Sequence, residues 1–191
     1  MAAMPVAQRM TAEEYLARPE SVNGRREQLV DGVIVVNEPR PLHQAVLLDV
    51  LQSIRDWERS GAGRGPVWLP LDVKIDAFNV YGPDILWYAE GRGPRRDDAP
   101  PAPIPDLAVE VRSPSTWRYD IGAKKSGYER SGLPELWLVD TAAAVVLVFR
   151  RSAQAATTFD VALELGRGDA LASPAMPGFA LALDSLFAPA V

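Results

Sequence analysis

Pro105-Asp106-Leu107-Ala108-Val109-Glu110-Val111-Arg112-Ser113-Pro114-Ser115 is the stretch whose reading decides the fold. Leu107, Val109 and Val111 alternate with Asp106, Ala108, Glu110 and Arg112, and a period of two sends the two sets to opposite faces of a strand. One face is aliphatic. The other sets Glu110 and Arg112 side by side, about 7 Å apart at the usual rise per residue. A carboxylate and a fixed cation on one sheet face suit a site for a metal and a phosphate. Ser113-Pro114 ends the strand, because proline cannot donate to the ladder. Downstream, Asp120 reads as the N-cap of a helix that carries Lys124 and Tyr128 four residues apart on one face. Strand end and helix face can then meet over one cleft.

The chain has 191 residues, enough for one domain with a real core and too few for two ordinary ones. The reading is a loose tail over residues 1–9 and one domain over residues 10–188. A hydrophobic content of 48% argues against disorder for the bulk of it. Cysteine is absent, which excludes disulfides, zinc–thiolate sites and cysteine nucleophiles. The start shows no basic segment leading into an apolar run, and no apolar stretch approaches the roughly 20 residues a membrane span needs. The expectation is a soluble, cytoplasmic protein with no membrane partner. A net charge of -5 argues against broad, non-specific nucleic-acid binding. A bound metal would add positive charge that this count omits.

Outward from the central strand, Thr11-Ala12-Glu13-Glu14 reads as a capping box opening a short helix. Asp31-Gly32 is a turn dipeptide between two short apolar runs, which gives a hairpin. Val46, Leu47, Val50, Leu51, Ile54 and Trp57 fall at helical spacing and give one buried stripe on a helix from about Leu42 to Arg59. Val67, Leu69, Leu71, Val73 and Ile75 alternate and read as one long strand. Asn79-Val80-Tyr81-Gly82 reads as a turn before the short apolar strand that Pro83-Asp84 heads. Residues 89–105, rich in Gly, Pro, Arg and Asp, read as a surface loop. Strands follow over Glu135–Asp140 and Ala144–Phe149, with weaker signals at Thr157–Leu165 and Gly178–Leu183. The order fits one mixed α/β domain.

The candidate constellation is Asp84, Glu110 and Lys124, with Arg112 beside them. If the strands carrying Asp84 and Glu110 are neighbours, the two carboxylates can share a hard cation such as Mg²⁺. Such an ion polarises a phosphodiester and lowers the pKa of a bound water, and a nearby lysine can stabilise the charge that develops. Spacing alone is a weak signal, and by itself it favours solvated strand-end charges. Glu27 could add a third carboxylate or be a hairpin surface charge. His43, the single histidine, reads as a structural residue or a cleft residue. Tyr128 could orient Lys124 or simply pack. Arg92, Arg95 and Arg96 could meet a phosphate backbone, but Asp97 and Asp98 offset them, and a solvated loop is the simpler reading. Trp117 stands in a polar loop beside the proposed site, unlike the other tryptophans.

Taken in order, Glu27-Gln28-Leu29-Val30-Asp31-Gly32, Pro83-Asp84, the central strand with Ser113-Pro114-Ser115, Asp120, Lys124, Tyr128, Gly132-Leu133-Pro134-Glu135-Leu136-Trp137-Leu138-Val139-Asp140, Pro177-Gly178-Phe179 and Leu186-Phe187 resemble the Uma-two family. These are bacterial endonucleases of the PD-(D/E)XK superfamily, the restriction-endonuclease-like fold. The resemblance covers roughly residues 10 to 188. It implies a mixed central sheet flanked by helices, a Mg²⁺ or Mn²⁺ cofactor and DNA as substrate; a homodimer is expected because one small domain must reach two strands to cut a duplex. It makes Asp84 and Glu110 the metal carboxylates and places His43 at the cleft. The superfamily lysine normally stands two residues after the acid, where this chain has Arg112. An arginine stays charged and cannot accept a proton, so it could bind phosphate but not act as a base. The resemblance moves the lysine role to Lys124; Lys125 points about 100° away around the helix. The leading expectation is a metal-dependent DNA endonuclease. The alternatives are an inactive DNA-binding or protein-interaction module and a phosphoesterase acting on small nucleotides.

Overall fold

The computed structural model describes residues 9–19 and 26–188. Of the expected tail, residues 1–8 lie outside the described residues, while Arg9 donates to the Asp31 carbonyl at 2.8 Å. Thr11 caps α1 (Ala12–Leu16). Its hydroxyl accepts the Glu14 backbone N–H at 3.2 Å, and the Glu14 carboxylate accepts the Thr11 N–H at 2.8 Å. β1 (Arg26–Val30) and β2 (Val33–Asn37) form the hairpin. Its turn residues, Asp31 and Gly32, both take positive φ, 52° and 76°, as a type I′ turn requires. α2 (Pro41–Arg59) opens with proline in its first turn and buries His43, Val46, Leu47, Val50, Ile54 and Trp57.

The long strand expected from Val67 to Ile75 is two strands in different sheets, β3 (Val67–Trp68) and β4 (Val73–Asp76). Pro70 has no N–H for the ladder, so pairing breaks between them although the apolar alternation continues. The expected turn at 79–82 is largely strand, β5 (Asn79–Tyr81). The reversal comes at Ala77-Phe78, where the Phe78 N–H donates to Asp76 Oδ1 at 2.9 Å. β6 (Ile85–Trp87) and β7 (Leu107–Val111) follow. The helical segment after β7 runs through α3 (Trp117–Tyr119), a π-helical turn (Asp120–Lys124) and α4 (Lys125–Arg130). Asp120 is therefore not an N-cap. Its backbone is helical at φ -63 and ψ -46, and Thr116 stands at the cap position. The chain ends in β8 (Glu135–Asp140), β9 (Val145–Arg150), β10 (Val161–Leu165), β11 (Ala170–Leu171), β12 (Leu181–Ala182) and α5 (Leu183–Leu186).

The central sheet has the order β10-β9-β8-β7-β6-β3, a smaller sheet runs β2-β1-β5-β4, and β11 pairs with β12. Only β7 and β8 pair in parallel within the central sheet, joined by the helical segment α3 to α4. The fold is thus a mixed α/β domain with a mixed central sheet. One sheet face packs its Ile85, Val109 and Trp137 against α2 and the C-terminal elements. The other face packs Ala108, Leu136 and Leu138 against Tyr81 and Tyr128. β7 is buried on both faces, so the face that carries Glu110 is not half-solvated as the alternation suggests. The covering helical segment and small sheet shut it from water.

Gly127 sets how closely α4 approaches the small sheet. A Cβ there would lie 2.4 Å from the Tyr81 hydroxyl and 2.9 Å from its ring. Alanine is the better helix former by about 1 kcal/mol, but overpacking a core typically costs about 1–3 kcal/mol. Gly127→Ala is expected to lower stability in urea denaturation by about 1 kcal/mol or more.

Candidate active site

Asp84 precedes β6, and the pairing of Ile85 with Val109 sets it across from Glu110 on β7. Asp84 Oδ2 accepts the Val111 N–H at 2.8 Å, so the carboxylate prolongs the ladder where β6 has ended. The same oxygen lies 3.1 Å from His43 Nε2. An ionised carboxylate can only accept, so Nε2 carries the proton in that bond. His43 Nδ1 is buried with no partner among the described residues. α2 delivers this histidine from one side of the sheet end.

The helical segment delivers the rest. Tyr128 donates its hydroxyl to Glu110 Oε1 at 2.7 Å. Lys124 Nζ lies 2.7 Å from the same oxygen and 2.8 Å from Asp120 Oδ1. Thr116 Oγ1 donates to Asp120 Oδ2 at 3.2 Å. In the π-helical turn the Lys125 N–H reaches the Asp120 carbonyl. Asp84, Glu110, Asp120 and Lys124 are exposed by 5%, 3%, 1% and 1% respectively. A buried lysine thus stands against two buried carboxylates, Glu110 and Asp120, the arrangement that burial tolerates only through mutual pairing.

Burial pushes the Glu110 carboxyl up to about 8, with Lys124 pulling against it and Asp120 and Asp84 adding to it. Burial alone would lower Lys124, but Asp120 and Glu110 together hold its ammonium above the ordinary lysine range. Burial, then Glu110, raises the Tyr128 hydroxyl well above its usual value. Lys124 therefore stays protonated and supplies fixed positive charge.

The structure gathers Asp84, Glu110, Lys124, Tyr128 and His43 into one connected cluster. It does not bring Arg112 or Glu27 into it. Arg112 makes a bidentate pair with Asp140, at 2.8 and 2.9 Å, and its guanidinium lies 5.4 Å from the Trp117 ring centroid. Glu27 pairs with Arg18 at 2.8 Å on the hairpin. Its neighbour Gln28 turns inward instead, and Gln28 Oε1 accepts the Gly82 N–H at 3.1 Å, two residues before Asp84. Asp120 was read from the sequence as a cap, and its place in the cluster was missed. The signal was the spacing Asp120, Lys124, Tyr128, which repeats every four residues.

No group of three His, Cys, Asp or Glu side chains among the described residues is arranged to hold a metal ion. The donor chemistry fits an open site for a hard divalent ion, which takes one or two carboxylates and keeps waters and substrate oxygens. Among the described residues Asp84 Oδ1 and Glu110 Oε2 accept no protein hydrogen bond, and neither is among the sealed-off polar atoms. These two oxygens are the ones such an ion would use.

A family model described as "Putative restriction endonuclease" matches residues 12–184. The crystal structure of a putative nuclease from Anabaena variabilis has the same fold, with a TM-score of 0.75 at 19% identity, over 93% of this chain and 97% of that one. No curated protein matches the sequence. No helix among the described residues is long and apolar enough to cross a membrane.

The raised carboxyl of Glu110 makes a pH prediction. A carboxyl whose folded pKa exceeds its unfolded value loses stability for the fold as pH rises, from the unfolded value of 4.5 through the folded value of about 8. Metal-free protein is expected to become less stable across that window, measured by urea denaturation in chelator. In Glu110→Gln the decline should be shallower.

Proposed function

The chain belongs to the Uma2 family of putative restriction endonucleases, and from that premise we propose that it is a divalent-metal-dependent endonuclease hydrolysing DNA phosphodiester bonds. The observation that supports this most is the pair of facing carboxylates with one unbonded oxygen each, beside a buried, permanently charged lysine. Mg²⁺ or Mn²⁺ bound at Asp84 and Glu110 would polarise the phosphodiester and lower the pKa of a bound water. In the hydrolysis a water oxygen bonds to phosphorus and releases its proton to solvent, the bridging P–O bond breaks, and the leaving oxygen takes up a proton from solvent.

Each protein group has a part in this reading. Asp84 is held by the Val111 N–H and His43, so its free oxygen keeps a fixed direction. Tyr128 and Lys124 do the same for Glu110. Lys124 stabilises negative charge developing on the attacked phosphate and its water, and takes no proton. Asp120 holds Lys124 in place. Arg112 is reserved for substrate phosphate only if it leaves Asp140. Two such domains, one per strand, would cut a duplex.

A second reading is an inactive module of the same fold, favoured by the Arg112–Asp140 pair at the usual lysine place. Plasmid nicking separates the two. Wild-type protein should cut with Mg²⁺ or Mn²⁺ and stop in chelator. Asp84→Asn and Glu110→Gln should slow cutting by about 100-fold or more, the usual scale for losing one transition-state contact. A cutting rate equal to wild type in Glu110→Gln overturns the assignment. Absence of both cutting and Mn²⁺ heat in calorimetry establishes the inactive module.

A further inference from the structure

At the β3 edge of the central sheet lies a cavity of about 570 Å³, within the roughly 300–1,000 Å³ range of small-molecule sites. Trp68, Pro70, Asp72, Arg95, Arg96 and Pro101 are among its walls. Its Pro70–Asp72 wall turns toward the Asp84 end of the central sheet, and its other wall is the loop between β6 and β7. β3 runs antiparallel to β6 with Trp68 paired to Leu86, so the chain after Trp68 travels toward Asp84. A Cβ on Gly82, two residues before Asp84, would lie 3.8 Å from Asp72 Oδ1 and 4.0 Å from Pro70 Cβ. Trp68 packs with Leu86, which by period two shares its strand face with Asp84. Cavity and carboxylates therefore lie on one face of the sheet.

The walls define an occupant. Trp68 and the prolines offer flat apolar surface to an aromatic ring. In the loop above, Arg92 is paired with Asp106 at 3.2 Å, whereas Arg95 and Arg96 are exposed and form no ion pair among the described residues. Asp98 is tied into its own turn, accepting the Arg95 backbone N–H at 2.7 Å. The Asp72 carboxylate offers an acceptor to a base edge.

We propose that this cavity holds one unpaired nucleotide of the substrate strand, its base against Trp68 and its phosphate on Arg95 and Arg96. The identity of the strand as a substrate rests on the nuclease reading above; the binding does not. The site gives the enzyme a handle on one base of the strand that is cut, with Asp72 as an acceptor for its edge.

The test is fluorescence polarisation of a short fluorescein-labelled single-stranded DNA with the full chain in chelator, where nothing is cut. Wild type should bind. The double variant Arg95→Ala with Arg96→Ala, both exposed, should lower the slope of log affinity against log salt by about 0.7 per lost phosphate contact. Trp68→Ala should weaken binding about tenfold, with Trp68→Phe, which keeps a ring, close to wild type. No binding by wild type, or an unchanged affinity and salt slope in the double arginine variant, overturns the inference. Binding with the expected pattern by a protein that cuts no DNA upholds the cavity and overturns the nuclease reading instead.

Discussion

The ion pair that the rest of the structure depends on is Lys124 with Glu110 and Asp120. A lysine buried to this degree must shed its proton or surround itself with anions. It takes the second course, and the anions come from two different elements, a central strand and its own helical segment. Removing one partner of such a buried pair usually costs about 3–5 kcal/mol, because the remaining charge is left uncompensated. The packing around the pair follows from that constraint. Tyr128 adds a hydrogen bond to the shared oxygen, and the Tyr81 ring lies 5.8 Å from the ammonium and 5.1 Å from the Tyr128 ring. The small sheet brings Tyr81, and Gly127 lets it come close.

The central sheet decides where this charge sits. β7 is parallel to β8, and a parallel pair needs a crossover that returns to the starting edge. The crossover here is the segment that carries Asp120, Lys124 and Tyr128. It must lie across β7, so its charged face meets the strand at Glu110. On the other side β6 stops short, and Asp84 fills the vacated ladder position with a side-chain oxygen. The carboxylate that would bind a metal is thereby also part of the sheet. A similar tie holds the far end of β8, where Glu135 accepts from Ser173 at 2.6 Å and from the Trp137 indole at 2.7 Å.

The elements legible in the sequence were those with one dominant local signal: the alternation in β7, the apolar stripe of α2, and the Asp31-Gly32 turn. The strand pair β3 and β4 was misread because alternation persists across Pro70, and only the ladder shows that the two halves serve different sheets. Asp120 was misread for a related reason. A cap and a buried acid four residues before a lysine look the same until the helix is known to begin earlier, at Thr116. Asp84, Glu110 and Lys124 could be grouped by residue type and by family resemblance. That Arg112 would turn to Asp140 could not, since the partner stands on β8 and only the parallel register brings it alongside. The cavity beside Trp68 also lay beyond a linear reading, because its walls come from two loops that local patterning leaves separate.

The π-helical turn between Asp120 and Lys124 holds one residue more than a helix of regular pitch would need. Upstream of it, Thr116 and Asp120 face each other; downstream, Tyr128 faces Glu110. Each residue of an α-helix turns the chain by about 100°. Deleting one residue from the wide turn would relax it to ordinary pitch and at the same stroke rotate everything after it away from the strand. The segment is thus tolerant of changes in side chain at its outward positions and intolerant of changes in length. Across relatives of this chain, gaps and insertions should be scarcer between Thr116 and Tyr128 than sequence divergence at the same positions would lead one to expect.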